Sequence, residues 1–183
     1  MKFFDKVLRY WRISKVNPYI HKDVQLLDIG CYDELLIKKF EGKIHSAVGI
    51  DPLLTADVHT AKYTLLKGYF PDVLEAGKKF HVITMLAVLE HIDENYYDKV
   101  SQGCFHHLHP GGHLVITVPD ALVDKVLDIL IKIGILDGMS TDEHHGYDIN
   151  NTRTLFEKSG LKLIKHKRFQ LGLNNVFVFQ KPI

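Results

Sequence analysis

The chain has 183 residues, 46% hydrophobic and 25% charged. That is the length of one domain with a core large enough to need no staples, and the composition argues against global disorder. Its 23 basic and 22 acidic residues leave a net charge of +1, which gives no support to a general polyanion- or membrane-binding coat. Two cysteines, Cys31 and Cys104, are too few for a disulfide framework. No apolar run approaches the roughly 18 residues of a membrane helix, and the charged opening MKFFDKVLRYWR lacks the apolar centre of a secretory leader. The expectation is a reduced, cytoplasmic protein.

Residues 1–16 carry Lys2, Lys6, Arg9, Arg12 and Lys15 against the single acid Asp5. Phe3, Phe4, Val7, Leu8 and Trp11 fall on one stripe of a helix, with Lys2, Lys6 and Arg9 largely opposite. This basic amphipathic helix and its lead-in occupy residues 1–22 and are expected to pack on the domain with their charges solvated.

From residue 25 short apolar runs alternate with helical spacing. Gln25–Ile29, Ala47–Ile50, Tyr63–Leu66, Val82–Met85 and Leu114–Val118 read as strands; Asp33–Phe40, Asp93–His109 and Ala121–Ile133 read as helices. Near-continuous apolar strands between helices predict an α/β fold with a parallel sheet covered on both faces. The segment 134–150, GILDGMSTDEHHGYDIN, is long for a structureless connection and suits a lid. Thr152–Lys158 then reads as a helix stopped by Gly160, and Leu161–Phe169 and Asn175–Gln180 as strands joined by QLGLN, too short for a crossover. The sheet should therefore finish with an antiparallel pair.

In an open α/β sheet, ligands bind beyond the carboxyl ends of the strands where strand order reverses. The first strand runs into LLDIGCYDELL, where Gly30 permits a sharp turn and close approach of the backbone to a ligand. The second ends in VGIDP. Asp51 at its tip suits the two hydroxyls of a ribose, and Asp51-Pro52 equally suits a plain turn opener. The chain lacks the further glycines of a G-x-G-x-x-G fingerprint, which disfavours a nicotinamide or flavin.

LLDIGCYDE, VGIDP, FHVITMLAVLEHI (80–92) and LHPGGHLVITVPD (108–120) resemble, in order and spacing, four motifs of the class I S-adenosylmethionine-dependent methyltransferases. With the terminal helix and strand pair, the resemblance covers most of the chain. It implies a single methyltransferase-like domain over 1–183 with a Rossmann-like three-layer sandwich. The sheet would have seven mostly parallel strands in the order 3-2-1-4-5-7-6, the last strand antiparallel. It implies S-adenosylmethionine as cofactor and methyl transfer as activity. Asp51 would hold the ribose hydroxyls, and Asp28 and Gly30 would shape the turn that runs, through Cys31 and Tyr32, along the methionine part. Pro52 and Leu53 would lie against one adenine face and Phe70 near the other; Met85 and Leu86 would border the sulfonium.

Two departures stand out. Tyr32 and Glu34 occupy positions where the family usually has glycines, and Tyr69 stands where it often has an acid. Glu34 is expected to reach the methionine ammonium in place of lost backbone contacts. The alternative is a degenerate methyltransferase-fold protein with a regulatory or partner role. Some relatives bind a metal through E-x-x-E-H; here the segment reads Ala87-Val88-Leu89-Glu90-His91, without the first ligand, and no metal is expected. Glu90, His91, His144, His145 and Tyr147 border the acceptor side as candidate acids and bases, with no single catalytic residue assigned. The acceptor is expected to be a small molecule, because no base-stacking module or long basic tract points to nucleic acid. Its specificity would come from the first helix and the 134–150 segment.

Overall fold

The computed structural model describes residues 3–120 and 148–183, with side chains from Val7 onward. The expected helix Ala121–Ile133, most of the 134–150 segment, and His144, His145 and Tyr147 lie outside the described residues. The described elements are α1 (Phe3–Ser14), β1 (Val24–Ile29), α2 (Leu35–Phe40), β2 (Ile44–Asp51), β3 (Val58–His59), β4 (Tyr63–Lys67), β5 (Phe80–Leu86), α3 (Tyr97–His107), β6 (Leu108–Pro119), α4 (Ile149–Lys158), β7 (Lys162–Phe169) and β8 (Asn174–Gln180). A short 3-10 turn, Leu89–His91, follows β5. Among the described residues, no helix is long and apolar enough to cross a membrane.

All the strands form one sheet of order β3-β4-β2-β1-β5-β6-β8-β7. The pairs β4–β2, β2–β1, β1–β5 and β5–β6 are parallel, and β8 runs antiparallel to both β6 and β7. The seven expected strands are therefore present in the expected order, and an eighth is added. This extra strand, β3, pairs antiparallel with β4 through Val58–Leu65 and His59–Thr64 at the sheet edge. Both its residues are exposed, so no burial pattern marks it in the sequence.

Alternation sorts the strands onto two cores. One face gathers Leu26, Val82, Val115, Val176 and Val178 against Ile13 and Val16, at and just beyond the end of α1, and Leu36, Ile37 and Phe40 of α2. The other gathers Leu27, Ile83, Leu114, Phe177 and Phe179 against Val100 and Cys104 of α3 and Phe156 of α4. The outer strand β7 keeps Lys162, Lys167 and Arg168 in solvent, and such charges discourage pairing with another chain.

The first helix docks differently from its sequence pattern. Val7 and Trp11, expected on the buried stripe, are exposed, whereas Ile13 and Val16 are buried. Arg9, expected opposite the apolar face, points inward and bonds both carboxylate oxygens of Asp33, one of them at 2.6 Å. Gln170, just after β7, donates to the Leu8 carbonyl at 2.8 Å. A charged pair at the helix flank thus outweighs the apolar moment in setting its rotation. α4 begins at Ile149, three residues before the predicted start, because the Asp148 carboxylate caps it through the Asn150 N–H.

Phe156 is completely buried, with its ring centroid 5.2 Å from that of Phe179. Phe156→Ala is expected to cost about 3–5 kcal/mol in urea unfolding, with an unchanged m-value.

Candidate functional site

The sheet reverses order between β1 and β5, so the crevice opens beyond the carboxyl ends of these central strands. At the end of β1 the chain turns at Gly30, whose φ is +74°. A Cβ there would lie 2.2 Å from Val88 Cγ2, so the turn packs directly on the segment that follows β5. The Gly30 and Cys31 N–H groups both donate to the Ile50 carbonyl, at 2.8 and 3.4 Å. Tyr32 also adopts a left-handed conformation, φ +49°, a region that favours glycine. Its side chain is 64% exposed.

Asp51 ends β2 and is buried. Its Oδ2 accepts from the Tyr32 N–H and its Oδ1 from the Leu53 N–H, each at 2.8 Å. One carboxylate therefore fastens the loops after β1 and β2 to each other. The Gly68 N–H donates to the Asp51 carbonyl at 3.3 Å, which draws the end of β4 to the same place. Pro52, Leu53 (73% exposed) and Tyr69 (71% exposed) stand open to solvent around this carboxylate.

The remaining expected residues divide. Phe70 does not present its ring at this mouth: it is buried, edge-on to His107 at 5.9 Å and tight against Gly103 of α3. The wholly apolar ring goes to the core, and neighbouring Tyr69, with a hydroxyl to keep wet, faces water. Met85 is fully buried in the α3/α4-side core, whereas Leu86 packs on the α1 side. Cys31 is sealed against Gly49, and burial pushes its thiol up to about 12, so this position offers only its backbone. Glu34 is not brought into the group either. It bonds Lys38 and accepts from the Tyr63 hydroxyl at 2.7 Å, at the amino end of β4, where the i,i+4 lysine competes for its charge. Asp33 stands nearer the turn, capping the Leu35 N–H at 3.0 Å while held by Arg9.

Asp28 lies beneath the crevice, accepting from Thr84 Oγ1 at 2.6 Å. Burial raises its carboxyl to about 7, against the lowering effect of the Thr84 hydrogen bond and the Arg9 charge. Glu90, in the turn after β5, is also raised to about 7 by burial, with its own backbone N–H and the Arg12 charge opposing. Among the described residues, the buried oxygens Glu90 Oε2, Thr117 Oγ1 and Asn174 Oδ1 find no hydrogen-bond partner. Register places Thr117 beside Leu86 and Val176, and Asn174 beside Phe169, all on the α1 side.

Sequence reading did not single out Arg9, Asp33, Thr84, Thr117 or Asn174 for the crevice. For Thr84 a signal was at hand, a polar residue inside a near-continuous apolar central strand; the partners of Arg9 and Asp33 and the burial of Thr117 and Asn174 appear only in the fold. Among the described residues, no three or more His, Cys, Asp or Glu side chains are grouped to hold a metal. His107 contacts the Lys78 carbonyl, His109 contacts Gln25, and His113 lies against Tyr19, so these rings serve separate local contacts.

Two outcomes follow from this geometry. Gly30→Ala is expected to destabilise the fold by about 2–4 kcal/mol in thermal unfolding, since it adds a Cβ collision to an unfavourable backbone conformation. Asp28 and Glu90 hold protons in the folded chain that the unfolded chain releases, so their contribution to stability falls as pH rises from about 4 to about 7. Each accounts for a slope of up to about 1.4 kcal/mol per pH unit, and Asp28→Asn should flatten the profile in urea melts across that window.

The methyltransferase domain family model matches residues 2–166. No curated protein matches the sequence. Among solved structures, the complex between the Haloferax volcanii Trm112 methyltransferase activator and a candidate methyltransferase contains a similar chain. That chain is 12% identical with a TM-score of 0.74, over 96% of this chain and 91% of the other. A methyltransferase from Archaeoglobus fulgidus, described as S-adenosylmethionine-dependent, gives 14% identity and 0.68, over 95% and 93%. The N-methyltransferase NodS from Bradyrhizobium japonicum gives 14% and 0.64, over 98% and 99%. Identities this low establish the fold alone. Together with the family match over most of the chain and the strand order about β1, they lead to one assignment: this chain belongs to the methyltransferase domain family, with the class I, Rossmann-like fold.

Proposed function

We propose that the whole chain is one S-adenosylmethionine-dependent methyltransferase unit that acts on a small-molecule acceptor in the cytoplasm. The observation that carries this reading is Asp51. Its carboxylate ends β2, is oriented by two backbone N–H groups, and keeps further lone pairs for the two hydroxyls of a ribose. Exposed Leu53 and Tyr69 on either side supply apolar surface that an adenine would cover. Tyr32 supports the same reading, because its ring turns to solvent and leaves the turn at Gly30 accessible. The buried oxygens of Glu90 after β5, Thr117 in β6 and Asn174 at the start of β8 would supply polar partners on the other side of β1.

When bound, S-adenosylmethionine supplies a methyl carbon activated on a positively charged sulfur. The chain's own work is to align and to exclude water, and alignment alone is worth about 7–11 kcal/mol of barrier. Asp51 orients the sugar, the Gly30–Tyr32 backbone flanks the ligand, and α1 covers the α1-side floor.

Titration calorimetry with S-adenosylhomocysteine tests the reading. One equivalent should bind, and Asp51→Asn should weaken it about ten- to a hundredfold, the value of hydrogen bonds to a charged group. No heat and no retained label in dialysis at millimolar ligand would refute it.

A further inference from the structure

We infer that the outer face of α1, together with the turn joining β7 to β8, is a docking surface for the headgroup region of an anionic lipid bilayer. Its role does not depend on methyl transfer.

The near-zero net charge of the chain hides a segregation. Residues 1–16 carry +4, residues 161–183 carry +5 without a single acid, and the chain between them carries −8. The fold brings the two basic segments together. Gln170 Nε2 donates to the Leu8 carbonyl at 2.8 Å, and the Trp11 and Phe169 rings meet edge-on at 6.4 Å. Lys165 and Lys167 stand opposite Val178 and Val176, valines of the α1-side core, so both lysines leave the sheet on the face where α1 lies. Lys15 reaches over the rings of Trp11 and Phe169, and Lys39 of α2 over that of Tyr10. Asp33, Glu34 and Asp120 are each engaged by another cation, Arg9, Lys38 and Arg168, and do not neutralise these lysines.

Apolar groups stand open among these lysines. Val7, Tyr10 and Trp11 recur at helical spacing on the solvent side of α1, and Leu171, in the turn that Gln170 fastens to the helix, is 95% exposed. Leu171 also holds a φ of +58°, a conformation that suits Gly or Asn and disfavours a leucine, so neither packing nor backbone geometry accounts for it. Single exposed apolar residues need no explanation, but a group of them bounded by cations is the pattern of an interfacial helix. Its lysines meet anionic headgroups while its aromatic and aliphatic side chains enter the acyl boundary. A nucleic acid, the other polyanion, would use open ring faces on which bases stack. Here Lys15 and Lys39 sit over the rings of Trp11 and Tyr10, and Val7 and Leu171 have no ring to offer. A bilayer uses both the charged and the aliphatic parts of the surface.

Trp11 is the sole tryptophan of the chain, so its emission reports on this face directly. With the full chain and phosphatidylcholine vesicles containing about one-third phosphatidylserine, the emission should shift to the blue and be quenched by brominated acyl chains. Partition measured by flotation should exceed that into pure phosphatidylcholine by about tenfold or more and fall as salt screens the lysines. Leu171→Asn suits the backbone of the turn, so it should keep or raise thermal stability while weakening partition about tenfold. Lys165→Gln combined with Lys167→Gln should weaken it about tenfold or more, again with the thermal transition retained. No partition into the anionic vesicles, equal partition into neutral ones, or partition indifferent to these variants overturns the inference. Binding to a single-stranded RNA without binding to vesicles overturns it as well and gives this face to nucleic acid.

Discussion

A single buried carboxylate organises the carboxyl end of this sheet. Asp51 accepts one N–H from the loop after β1 and one from the loop after its own strand, so neither loop is free to place itself independently. The left-handed residues at Gly30 and Tyr32 make sense only with this tie. They bend the chain so that the Tyr32 N–H, not its ring, faces the acid. Burying a carboxylate is costly unless its oxygens are satisfied, and two backbone donors satisfy it while leaving its outer lone pairs for a ligand. The geometry of the turn is therefore held by hydrogen bonds to the acid even at Tyr32, a residue without glycine's freedom.

The same logic governs α1. Its apolar residues are enough to make it a helix with a greasy side, but the Arg9–Asp33 pair and the Gln170–Leu8 hydrogen bond decide which side faces the sheet. As a consequence Val7, Tyr10 and Trp11 are exposed while two arginines sit near the crevice. The helix brings Arg9 to Asp33 and to Asp28, whose proton affinity Asp33 and Asp51 raise, and Arg12 to Glu90, next to the turn that forms the site.

Much of the architecture was legible because it is written in periodicity. The strands of the sheet core, the helices α2, α3 and α4, and the antiparallel finish follow from apolar alternation and from a linker too short to cross over. β3 escaped because two exposed residues have no period. Around the crevice, positions at strand ends were readable: Gly30 follows β1 and Asp51 ends β2, as expected. The direction of a side chain within a segment was not. Phe70 and Met85 point into the core, while Tyr69 beside Phe70 faces solvent and Leu86 beside Met85 packs on the core of the opposite face. Glu34 was drawn off by Lys38 and Tyr63, partners four residues along the helix and on another strand, and only the latter contact is invisible in sequence. Thr117 and Asn174 carry no motif; they become conspicuous only when burial shows that nothing satisfies them.

The hydrogen bond from Gln170 to the Leu8 carbonyl spans 162 residues of chain. A contact of such sequence separation can form only once the intervening sheet is assembled, and long-range closure of this kind slows folding. The seating of α1 is thereby tied to completion of the β7–β8 hairpin, whose connecting turn supplies the donor that fixes it.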